Sequence, residues 1–148
     1  MADGKLQLQA IDATATDAAT TKDTVDMTAS WQDKAGNTYT VKCCTKMATH
    51  GADYPTFGGV VTNTILHGSS AIGTPLMPTE YTYFAFWSMG QVMKNSKVVA
   101  KPRLVHGMLT EYVRGKNYSL DFDKEGTPTR RQFHVIVPPV IPQLSQGT

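Results

Sequence analysis

Histidine is the side chain most ready for metal binding and for proton transfer near neutral pH. Three of the four in this chain stand directly before a glycine, as His50-Gly51, His67-Gly68 and His106-Gly107. At His50 and His67, each at the edge of an expected loop, the glycine lets the backbone turn and brings the imidazole to a rim where it can reach a ligand. His106 falls on an expected strand. The fourth, His134, sits in a regular apolar run near the C-terminus. Alternate residues of a strand share a face, so His106 lies with Leu104 and Met108, and His134 with Ile136. If those two strands are neighbours, their imidazoles meet across a sheet. A loop histidine then completes a three-nitrogen site suited to zinc or copper. No HExxH or CxxC spacing accompanies them, and the plain alternative is strand histidines held by hydrogen bonds in a core.

Soft ligands are also present. Of seven methionines, Met47, Met77, Met89 and Met93 fall in or beside irregular segments. Thioether with imidazole suits Cu(I), so Met47 and Met77 are the soft partners in a candidate metal site formed by His50, His67, His106 and His134. The competing role of methionine is to fill irregular gaps in a core. A blue-copper arrangement is excluded by residue order, because both cysteines precede all four histidines and no compact Cys-His-Met cluster follows late in the chain.

The adjacent pair Cys43-Cys44 ends an expected strand, which places one thiol inward and the other outward. A thiol–imidazole pair drawn from this dipeptide and His50 or His67 would be the basis of a hydrolase or redox protein. No G-x-S-x-G elbow occurs, and no catalytic residue is assigned. Asp121, Asp123 and Glu125 lack the spacing of a calcium-binding hand and read as a solvated strand edge.

The elements that must position these groups are strands. Period-two alternation recurs and no long helical period does. Thr24–Gln32 and the run from Tyr39 to Cys43 form a hairpin around Asp33–Asn37. Gly59–Leu66 is a β-branched strand, and Tyr81–Trp87 is aromatic on both faces and therefore central. Val92-Met93 and Val98-Val99 make a short hairpin around Lys94–Lys97, followed by strands at Arg103–Tyr112, Tyr118–Phe122 and Gln132–Val137. About nine short strands with turns between them predict an all-β protein, an antiparallel two-sheet sandwich of immunoglobulin-like size, with a barrel as the alternative. Residues 1–140 form one domain and 141–148 an extended polar tail.

A net charge of +2 without a basic stripe argues against nucleic acid. No run approaches the ~18 apolar residues of a membrane helix, and no signal peptide opens the chain as given. The Thr/Ala-rich stretch from Asp12 to Asp23 resembles the start of exported domains and gives the expectation of a periplasmic or extracellular setting.

The leading functional expectation is a non-enzymatic binding or structural module working through two long loops, Thr45–Gly58 and His67–Thr79. Its partner would be a protein or a glycan, met by the aromatic side chains Trp31, Tyr54 and Phe57. The alternatives are a copper- or zinc-handling domain and the Cys/His protein above.

Overall fold

The structure, a computed structural model, describes residues 4–13, 22–47, 59–71, 75–112 and 127–137. His50, Tyr54, Phe57, the acidic alternation, the expected strand Tyr118–Phe122 and the polar tail lie outside the described residues.

Seven antiparallel strands are described: β1 (Gly4–Ile11), β2 (Thr24–Gln32), β3 (Thr38–Met47), β4 (Val60–Leu66), β5 (Glu80–Lys94), β6 (Lys97–Tyr112) and β7 (Thr127–Ile136). All belong to one sheet in the order β1-β2-β3-β5-β6-β7. The described strands therefore form a single layer where a two-sheet sandwich was expected. The sheet has seven members because β5 serves two neighbours on one edge. Its first half pairs with β4, from Val60↔Phe86 to Leu66↔Glu80, and its second half with β3, from Met47↔Ser88 to Tyr39↔Lys94.

Aromatic and β-branched residues suit a pleated surface covered on both faces, and this composition keeps β5 extended over 15 residues. Gly90 and Pro102 do not break the long hairpin. Register shifts at Thr82/Phe84, Gly90/Val92 and Val92/Met93 absorb the irregularity, and such bulges bend a strand without ending it. The expected short hairpin is thus the tip of a long one.

Curling lets the sheet bury its own inner face. Leu8 and Ala10 from edge strand β1 pack on the same cluster as Phe133 and Val135 from edge strand β7. Between them lie Val25, Met27, Val41, Cys43, Val60, Phe86 and Val105. The result is a half-barrel. A second cluster, Val61, Leu66, Ala85, Trp87 and Met108, lies on the opposite face of β4, β5 and β6. No helix among the described residues is long and apolar enough to cross a membrane.

Candidate functional site

The outer face of β5, β6 and β7 is a grid set by register. One rung reads Thr82, Thr110, Gln132; the next Ala85, Met108, His134; the third Trp87, His106, Ile136. The shift between Thr82 and Phe84 brings Thr82 opposite Thr110. Directly opposed residues stand about 4.5–5.5 Å apart at Cβ, and diagonal ones remain within reach of long or aromatic side chains. His106 and His134 are such a diagonal pair, with ring centroids 6.0 Å apart at 61°. Trp87 covers the other side of His106, its ring stacked at 4.6 Å and 23°.

His106 is buried, and its Nδ1–H donates to the Phe86 carbonyl at 2.9 Å. That bond fixes the tautomer and leaves Nε2 as a lone-pair donor. Burial pushes its pKa down to about 3, the Phe86 bond opposes this, and His134 and His67 lower it further. At neutral pH the imidazole is uncharged.

His67 reaches the same face from a turn. It precedes the 3₁₀ turn Gly68–Ser70 and is only 7 % exposed. Its Nε2 lies 3.2 Å from Met108 Sδ, and burial lowers its pKa as well. The backbone at His67 has φ 65° and ψ 178°, a region almost reserved for glycine that costs about 1–3 kcal/mol and recurs where function demands it.

Two features of the sequence hold this strained residue. Gly68 has φ 53°, and a Cβ there would overlap Thr79. The Thr79 hydroxyl then accepts from the Ser69 amide at 2.8 Å, pinning the turn.

The recurrent His-Gly pair thus has two physical origins. At His67 the glycine permits the turn. At His106 the glycine lies mid-strand and leaves room for the Phe86 ring on the inner face, where a Cβ would collide. That second histidine is on a strand, as its alternation with Leu104 and Met108 implies, and is buried within the sheet.

On this face His106 Nδ1 and Thr110 Oγ1 have hydrogen-bond partners, and some other polar atoms have none among the described residues. His67 Nδ1, Thr82 Oγ1 and Gln132 Nε2 are buried without a hydrogen-bond partner among the described residues. Each such atom costs about 1–3 kcal/mol, and native proteins rarely tolerate one without a ligand, ion or water to meet it.

The other sequence candidates fall elsewhere. Met77 is partly buried in the turn ahead of β5, and Met47 closes β3 opposite Ser88. The thioether that meets an imidazole is Met108, at mid-strand. Among the described residues no group of three His, Cys, Asp or Glu side chains is gathered around one ion position; His50 lies outside those residues, and His106 and His134 are brought together as a diagonal pair.

Cys43 and Cys44 are joined to each other. Cys43 is buried in the inner cluster and Cys44 packs against it, where one outward thiol was expected. The pair lies on the opposite face from Met108 and the His67 ring. Trp31 is exposed at the end of β2 and stacks on Tyr39 at 5.7 Å. Open clefts of about 320 and 340 Å³ run along β1 and β2, where the linings hold no imidazole.

No protein-family model, curated protein or solved structure matches this chain. The reading of function therefore stands on the geometry of the imidazole face alone.

Proposed function

We propose that the protein is a non-enzymatic binding module whose ligand sits on the imidazole face, where His67 and the turn Gly68–Ser70 meet β5, β6 and β7. The observation that carries this reading is the set of buried atoms on that face without a partner among the described residues, His67 Nδ1, Thr82 Oγ1 and Gln132 Nε2. A structural core would gain from apolar residues at Thr82 and Gln132, whereas a binding face keeps the polar groups its ligand will satisfy. Uncharged His67 and His106 suit a cation or a hydrogen-bond donor better than an anion. The setting that goes with this reading is periplasmic or extracellular, an expectation from the Thr/Ala-rich stretch between Asp12 and Asp23.

The test is thermal melting of the wild type, His67→Gly, Thr82→Val and Gln132→Met against metals, small carboxylates and sugars. One ligand class should raise the wild-type Tm and lose that effect in each of the three variants. The ligand-free Thr82→Val and Gln132→Met variants should melt at or above the wild type. Ligand responses indifferent to all three substitutions would sink the reading.

A further inference from the structure

Among the described residues, the contact between His67 Nε2 and Met108 Sδ, 3.2 Å across, leaves the imidazole unsatisfied in either tautomer. If Nε2 carries the proton, it donates to a thioether, a weak acceptor, and the Nδ1 lone pair is buried without a donor. If Nδ1 carries it, that N–H is buried without an acceptor, and two lone-pair donors converge at Nε2 and Sδ. Bonds of about 2.0 Å to nitrogen and 2.3 Å to sulfur, meeting at roughly 95°, span this separation. The second arrangement is a two-donor chelate.

We propose that His67 Nε2 and Met108 Sδ bind Cu(I), with His106 as the next imidazole available on the same face. This deepens the binding-module reading and rests on it. Thioether sulfur selects soft ions. Both donors are neutral and buried, which penalises a dication more than a monovalent ion.

Three further features fit a built site. The strained backbone of His67 is held by the Gly68–Thr79 contact and the Ser69–Thr79 hydrogen bonds, so the nitrogen is placed in advance of any ion. Met108 is fully buried in a strand rather than frayed in a loop. The Phe86 carbonyl orients His106 through Nδ1, an arrangement that recurs behind metal-ligating imidazoles.

The experiment is anaerobic competition for Cu(I) against bicinchoninate, using the full chain, with Zn(II) titrated in parallel. The wild type should take up one equivalent of Cu(I). Met108→Leu keeps the volume and should bind at least tenfold more weakly, with a sulfur shell lost from the copper X-ray absorption spectrum. His67→Gly, whose backbone accepts the positive φ, should abolish uptake. Zn(II) affinity should be lower than Cu(I) affinity and unchanged in Met108→Leu.

Absent Cu(I) uptake, or equal affinity in the wild type and Met108→Leu, would overturn the proposal. If Thr82→Val and Gln132→Met still abolish stabilisation by another ligand class, the binding face stands and only copper falls. If no ligand responds to those substitutions either, both readings fall.

Discussion

His106 combines a buried imidazole, a stacked Trp87 ring and a backbone hydrogen bond that fixes its tautomer. Its folded pKa is depressed to about 3, chiefly by burial, against 6.5 for an exposed ring. The unfolded chain therefore binds the proton first as pH falls. The stabilising contribution is complete above about pH 6.5 and is lost progressively towards pH 3, at about 1.4 kcal/mol per pH unit for this one group. Urea unfolding of the metal-free protein at pH 7, 6 and 5 should show this slope, with His67 adding to it in the same direction. His106→Gln should flatten the profile, and parallel profiles for variant and wild type would refute the assignment. Thr82 gives the opposite case. Its hydroxyl is buried without a partner among the described residues, so Thr82→Val should raise ligand-free stability by about 1 kcal/mol, measured by the urea midpoint.

At the scale of elements, the long β5–β6 hairpin positions the face, and its tip shows how. Asn95 and Ser96 have φ of 47° and 65°, the two-residue turn whose twist matches paired strands and which prefers Asn-Gly. Ser96→Gly should therefore stabilise by about 0.5–1 kcal/mol, raising Tm without altering ligand binding. Gly107→Ala tests the middle of the same hairpin. The added methyl would meet the Phe86 ring, and the overpacking should cost about 1–3 kcal/mol; a neutral melt would show that the ring moves freely.

Much of this element was legible in the residues. Tyr81 to Trp87 is apolar on both sides, which identifies a central strand, and Lys94–Lys97 carries the turn chemistry. The lengths of β5 and β6 were not legible, because Gly90 and Pro102 ordinarily punctuate a strand while bulges, which depend on neighbours, let it continue. The adjacency of His106 and His134 follows once their strands are paired in register. The His67–Met108 contact had no signal at all. It joins a turn to a strand 41 residues later, and the loop methionines Met47 and Met77 are the thioethers that sequence position favours.

For the whole molecule, curling requires something to tie edges that do not pair, and Asp23 supplies it. The carboxylate is buried, with Oδ1 accepting from the Ala13 amide and Oδ2 from the Val60 amide, each at 2.8 Å. Ala13 lies just beyond β1, and Val60 opens β4, which is neither paired with β1 nor adjacent to it in the sheet order. One side chain at the start of β2 thus joins two strands across the curve. Composition alone made Asp23 the end of a polar run, since no local pattern marks a carboxylate that bonds amides at both ends of the chain's first half.

Hydrogen bonds to a charged acceptor are worth about 1.5–3 kcal/mol each, and a domain has only about 5–15 kcal/mol in total. Asp23→Ala strands both amides and should cost at least about 3 kcal/mol in urea unfolding. Asp23→Asn keeps one acceptor oxygen and should lose about half as much. Hydrogen exchange at Val60 should accelerate in Asp23→Ala beyond the amides of Phe84 and Phe86, because the opening begins where the tie is cut. Uniform acceleration across β4 and β5 would mean that the curl is held by the inner cluster and that Asp23 only adds to it.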